Sequence, residues 1–490
     1  MEVMDVYQWI ELYGVKQAII PTVVLPFTIL GVLLTMLATF IAGLFGIQLK
    51  AEGPRKLLEV LLKPRILLTA LIVNLLSVGG YYGYQWVKTY PSFLWTINNN
   101  NPVNTLATDQ HYKDVFFEKN NFTQPLIKKA IKNVKLSWET KIPKGSFGGL
   151  IISGNSLFFG SGDGNGYEVD KNSGKILRKF YVGQPVTPRP VVWKNYLYLA
   201  EGVHLTHHAR IYQFDLMTGQ LINSFQSTGH IEGALSLYSF KDDEKQKNII
   251  FVSSGRDGLH ALNAEDLSPF WHSSVGHIDA SVKVVNDLVY VTTGMEKGEK
   301  RENQQAYAID IKTGKTKWVA ELPASGWVSS VVYGTEICFG LGEVYFRRNY
   351  GQIACFDQMT GESTWAVNQG ASLIGRPMIV KDTLYISDFF GGIYAYHMKT
   401  RKKLWYIKTK VKKYAYAPVA YNGNGHIIYP TVLDGLIFIN GETGSIDFSW
   451  QPKNLKKDWY ISLAGVAVDN ENSAYLIDWK GRLRKFDTSY

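Results

Sequence analysis

The chain has 490 residues, 46% of them hydrophobic, 13% aromatic and 19% charged, with a formal net charge of +10. That much apolar material rules out a disordered chain, and two cysteines, Cys338 and Cys355, are too few for a disulfide-framework fold. The positive balance points to anionic surroundings such as lipid headgroups, acidic proteins or acidic polymers, and no segment has the pattern of a nucleic-acid-binding module.

Residues 1–17 form a short N-terminal segment holding Lys16 among Glu2, Asp5 and Glu11. Two stretches without a charge follow, 18–47 and 66–87. Each exceeds the roughly 20 residues a helix needs to cross a hydrocarbon core, so residues 18–88 are expected to form a two-helix transmembrane hairpin. The first stretch is too long for a cleavable signal and lacks a basic start. The loop 48–65 between the two carries Lys50, Arg55, Lys56, Lys63 and Arg65 close to both membrane ends. Positive charge stays in the cytoplasm, which places this loop inside and everything after the hairpin on the periplasmic or outer side of the cytoplasmic membrane. Tyr81, Tyr82, Tyr84, Trp86 and Tyr90 would form an aromatic belt at the exit, and residues 89–134 read as a connector.

Beyond residue 135 one phrase recurs: a strand ending in Asp or a polar substitute, a Thr-Gly-type turn, then a strand with Trp or Phe. Copies include AYAIDIKTGKTKWVAEL and IACFDQMTGESTWAV. The anchors are Asp170, Asp215, Asn263, Asp310, Asp357, His397, Asn440 and Asp487, so the period is 40–48 residues. The residues before each anchor alternate apolar and polar at the period of a half-buried strand, and an all-strand repeat of this length is a propeller blade. The last copy ends at Asp487 with almost no chain left for its Trp strand, whereas the strand around Trp138 has no Asp before it. Joining the two halves closes the ring and gives eight blades over residues 135–490, an all-β domain with no open edge. A second periodicity of small residues, from Gly148-Gly149 to Ala464-Gly465, falls where the innermost strand of each blade is expected as the ring narrows.

These repeats resemble the pyrroloquinoline-quinone-like β-propeller superfamily, whose copies carry Asp-x-x-Thr-Gly-x-x-x-Trp and often number eight. The resemblance implies either a non-catalytic scaffold of the BamB-like branch or a quinoprotein dehydrogenase holding pyrroloquinoline quinone with Ca2+. The enzyme branch would require a clamp of acidic and amide oxygens and, in alcohol dehydrogenases, a vicinal Cys pair. No vicinal pair and no c-type haem motif occur in this chain. Arg189 and Arg376 in TPRPVV and IGRPMI, with Glu232 and Asp279 in HIEGALS and HIDASVK, are candidates for a polar ring at the channel mouth. Two carboxylates are too few to define a calcium site.

Other candidates lie on loops and outer strands. His204, His207 and His208 could give two metal ligands, but no Cys or acid stands at a recognisable spacing, so solvated loop histidines are expected and no metal. Lys399, Arg401, Lys402, Lys403, Lys408, Lys410, Lys412 and Lys413 crowd the sixth blade without an acid among them. With Arg347 and Arg348 they are candidates for docking an acidic partner or anionic lipid. Cys338 and Cys355 fall on consecutive strands of one blade, either as cross-strand neighbours or as two buried free thiols. The expected function is a membrane-anchored interaction scaffold in a bacterial envelope complex, with envelope or inner-membrane proteins, membrane lipid and acidic polymer as partner classes and no cofactor. The alternatives are a membrane-bound quinoprotein dehydrogenase and an envelope sensor or polysaccharide-binding module.

Overall fold

A computed structural model of the chain describes residues 121–122 and 130–490, apart from 203–207, 243, 295–303, 344–349, 411–414, 432–433, 456–461 and 463. The expected hairpin at 18–88, the segment 1–17 and most of the connector lie outside these residues. Among the described residues no helix is long and apolar enough to cross a membrane.

The described chain forms eight sheets, seven with four antiparallel strands and one with a fifth strand added, which we number as blades 1 to 8. Blades 1 to 7 are continuous in sequence, at 150–181, 191–226, 236–273, 283–321, 331–369, 378–408 and 420–450. Blade 8 combines three C-terminal strands, Ala467–Val468, Ser473–Ile477 and Arg482–Ser489, with the N-terminal strand Asn133–Lys141. In the closing pair Lys135 faces Asp487 and Trp138 faces Lys485, so the two half-repeats pair as expected. A two-residue piece of the connector, Asn121–Phe122, pairs in parallel with Ile379 and Val380 on the inner edge of blade 6.

The hydrophobic core is not inside the blades but between them. Eight buried clusters occur, each shared by two neighbours: Phe240, Phe251 and Ala261 of blade 3 pack on Val289, Val291 and Ile309 of blade 4, for example. Strands pleat side chains to alternate faces, so each sheet presents one apolar face to each neighbour and the ring leaves none uncovered.

The recurring phrase is the bolt between blades. In the blade 4 turn Asp310 Oδ1 accepts hydrogen bonds from Thr313 N at 3.0 Å and Thr313 Oγ1 at 2.8 Å, and Gly314 closes the turn at φ +69°. A Cβ at Gly314 would lie 2.8 Å from the Trp271 ring of blade 3, so glycine is needed for the contact as well as for the backbone. The same indole donates to the Ile311 carbonyl at 2.7 Å. Trp138, Trp318 and Trp405 repeat the bond to Lys171, Gln358 and Gly441, in each case the residue after the next blade's anchor. His397 and Asn440 take the acceptor role of Asp in their turns.

Candidate functional site

The small residues that lead into the innermost strands bring neighbouring blades close at the axis: a Cβ on Gly148 would lie 2.3 Å from the Thr187 carbonyl, and one on Gly233 3.0 Å from the Ala280 carbonyl. These segments enclose a cavity of about 240 Å³ at one end of the ring. Arg189, Glu232, Asp279 and Arg376, carried on the approaches to blades 2, 3, 4 and 6, all line it, with Phe147, Trp327 and Tyr416 as aromatic walls. Sequence spacing therefore located four charges that the fold places on one surface.

Sequence reasoning missed two partners of that ring. His230 Nε2 donates to Asp279 Oδ1 at 2.9 Å, and His277 Nε2 donates to Asp279 Oδ2 at 2.9 Å. All three side chains are buried. Burial works against the ionised carboxylate, but His277 and His230 outweigh it and hold Asp279 well below the usual carboxylate range. The signal was present, since Gly-His-Ile stands immediately before both acids, at 229–231 and 276–278.

A second His/Asp group lies in blade 3. His260 and His272 face each other across two strands with stacked rings 4.3 Å apart, and His260 Nε2 donates to Asp257 Oδ2 at 2.8 Å. Asp257 Oδ2 also accepts from Thr228 N at 2.8 Å, and His272 Nε2 donates to the Asp257 carbonyl. Burial pulls His260 below the ordinary imidazole value, with Asp257 opposing it. Of the three loop histidines proposed as weak ligands, His204 and His207 lie outside the described residues. His208 is exposed in a turn at φ +69° and belongs to neither His/Asp group.

The basic stretch of blade 6 is less bare in space than in sequence. Lys399 pairs with Asp382 at 3.0 Å, Lys410 with Asp434 at 2.8 Å, and Lys408 donates to the Phe390 carbonyl. Arg401 is engaged within the propeller. It takes the left-handed conformation, φ +59°, that glycine supplies in other turns, lays its guanidinium 5.1 Å from the Trp365 ring centre and binds Glu336 at 2.6 Å. It thus replaces the glycine of the inter-blade bolt between blades 5 and 6. Lys402 and Lys403 remain exposed on the outer strand Lys402–Lys408, beside Leu404 and Tyr406. Lys412, Lys413, Arg347 and Arg348 lie outside the described residues. Cys338 and Cys355 are register partners on adjacent strands of blade 5 and form a buried disulfide, the cross-strand one of the two readings the sequence left open.

A family model described as outer membrane protein assembly factor BamB matches residues 207–405 and 349–489 in two overlapping stretches. The chain belongs to this family. BamB of Shewanella oneidensis is 23% identical over 172 residues, covering 32% of this chain and 41% of the relative. A tetrathionate hydrolase of Acidithiobacillus ferrooxidans is 23% identical over 342 residues, covering 62% of this chain and 66% of that enzyme. The chain therefore spans less than two thirds of the length of either relative. Among solved structures, BamB of Moraxella catarrhalis superposes with a TM-score of 0.56 at 13% identity, covering 72% of this chain and all of that one. A europium-containing methanol dehydrogenase gives 0.53 at 12% identity, covering 73% and 87%. The BamB-like propeller is thus shared by proteins named as assembly factors and as enzymes, and the site must separate them.

Proposed function

We propose that the chain is a non-catalytic, membrane-anchored interaction scaffold of a bacterial envelope complex, its propeller displayed on the periplasmic or outer side of the cytoplasmic membrane. The observation that carries this reading is the outer strand of blade 6. Leu404 and Tyr406 are each 46% exposed there, whereas no other outer strand among the described residues exposes two large apolar side chains. Lys402, Lys403 and Lys408 flank them. An apolar pair rimmed by cations suits a protein partner with an acidic border, and membership of the BamB family supports protein partners as the class. The Cys338–Cys355 disulfide supports an oxidising compartment, and the charge-free stretches 18–47 and 66–87 support the anchor.

The cavity does not fit a quinone clamped by calcium. Among the described residues Glu232 and Asp279 are the carboxylates lining it, and Asp279 gives both oxygens to imidazoles, whereas Ca2+ takes six to eight oxygen ligands. The two cysteines are cross-strand partners in blade 5, not a vicinal pair beside the cavity.

Changing Lys402→Glu, Lys403→Glu and Leu404→Ser together should sharply lower recovery of the co-purifying partner from detergent-solubilised membranes. The melting curve should stay where it was, because exposed substitutions usually change stability by about 0.5 kcal/mol or less. Unchanged recovery would overturn the assignment of this strand. A second reading rests on Arg189 and Arg376, which give the cavity two guanidinium groups suited to a small oxyanion. In that reading the chain is a hydrolase like its tetrathionate-cleaving relative. Purified chain incubated with tetrathionate should release no product. Turnover abolished by Arg376→Ala would replace the scaffold reading.

A further inference from the structure

We propose that His230, His277 and Asp279 form a binding site for one divalent transition-metal ion of the zinc or cobalt type, beside the axial cavity. This goes beyond the scaffold reading and does not depend on it.

Two imidazole nitrogens and a carboxylate converge, with their ligand atoms all within 4.8 Å of one another. Each Nε2 sits 2.9 Å from a different oxygen of the same carboxylate, and the three side chains are at most 4% exposed. The surrounding chain holds them in place. Gly255, at φ +50°, lies close against the His230 ring, where a Cβ would come within 2.7 Å of Cε1. The same glycine exchanges two backbone hydrogen bonds with Ile278, the residue between His277 and Asp279. His277 is fixed on its other side, its carbonyl accepting from Gly294 N at 2.9 Å. Both ligand-bearing segments are therefore anchored to one glycine, so the cost of ordering the ligands is met by folding rather than by the ion.

The donor set selects the metal. Two neutral imidazoles and one carboxylate suit a zinc-type ion at about 2.0–2.2 Å, and they are too nitrogen-rich and too few for calcium. Binding replaces the two N–H···O bonds, with each imidazole proton moving to Nδ1. Three protein ligands leave a coordination position open, and Asp279 itself lines the axial cavity alongside Glu232. The Asp257, His260 and His272 group has the same composition but a poorer arrangement. Its rings stack with only 14° between their planes, and His272 Nε2 is engaged by the Asp257 carbonyl.

The test uses the purified full chain, stripped with a chelator and titrated with Zn2+ by calorimetry and with Co2+ by visible absorption. One Zn2+ per chain is expected, with a Co2+ ligand-field band and a raised melting temperature. Loss of an outer partner of a metal ligand costs about 10–100-fold in affinity, so loss of the ligand itself through His277→Gln or Asp279→Asn should cost at least about 100-fold. Asp257→Asn should leave the affinity unchanged. Absence of Zn2+ uptake and of a Co2+ band in the unsubstituted chain overturns the proposal, even if both site variants fail to fold. Binding that His277→Gln leaves intact, or that Asp257→Asn removes, also overturns it. If the site variants do not fold, unaltered binding in Asp257→Asn supports it.

Discussion

Removing residues 482–490 is expected to leave no folded propeller. The strand Arg482–Ser489 lies between Ser473–Ile477 and the N-terminal strand Asn133–Lys141, so its loss leaves the N-terminal strand without its sheet partner in blade 8. The fully buried Leu483 and Phe486 go with it. Arg484 is also lost, and it is itself fully buried, donating to Glu139 at 2.7 Å and to Asp478 at 3.0 Å. Burial already pushes the Asp478 carboxyl above the usual carboxylate range despite Arg484, and without that partner it would be a buried charge with no guanidinium beside it. Breaking such a pair from one side alone costs about 3–5 kcal/mol, a large fraction of the roughly 5–15 kcal/mol that holds a domain together. Two open sheet edges add to the loss. Urea unfolding followed by circular dichroism should show no cooperative transition. A truncated chain melting like the intact one would refute shared closure as the source of stability.

Trp318→Ala should be the most damaging single change among the inter-blade bolts, at about 3–5 kcal/mol. The indole is 8% exposed, packs near Tyr290 and Phe356, lies on Gly361 and donates to the Gln358 carbonyl at 2.9 Å. Trp318→Phe keeps an aromatic filler and gives up that hydrogen bond, while the Gln358 carbonyl retains the Tyr290 hydroxyl at 3.0 Å. It should therefore cost clearly less. The midpoints of denaturant melts rank the three proteins, and equal midpoints for Trp318→Ala and the parent would remove the bolt from the account.

The blades could be read from the chain because the turn enforces its own chemistry: an acceptor side chain at the anchor, a residue tolerant of positive φ four positions on, and an indole further along. Where the tolerant residue is Leu267 or Arg401 instead of glycine the turn keeps its shape, with φ of +60° and +59°. Arg401 shows what a linear reading omits. Along the sequence it stands among lysines with no acid nearby, yet its partner Glu336 is 65 positions away and becomes adjacent only when blade 5 packs on blade 6. The acids of the axial ring were legible because they interrupt a stretch of small residues. The Gly-His-Ile before each acid marked the histidines, but the sequence did not reveal that His230 reaches beyond its own neighbour Glu232 to Asp279 of the next repeat, 49 residues on. The disulfide depended on a register that two cysteines 17 residues apart do not reveal.

The closing strand also has a history in time. Asn133–Lys141 is synthesised some 340 residues before its partner Arg482–Ser489 exists. Until then it must wait with a bare edge, and its outward positions carry Lys135, Glu139 and Lys141, the charges that discourage pairing with a stranger. Because every apolar cluster belongs to two blades, none of the blades behind it can mature alone. The growing arc stays provisional until the final residues emerge, and the largest loop in the domain is closed last, where the entropy of closure is greatest.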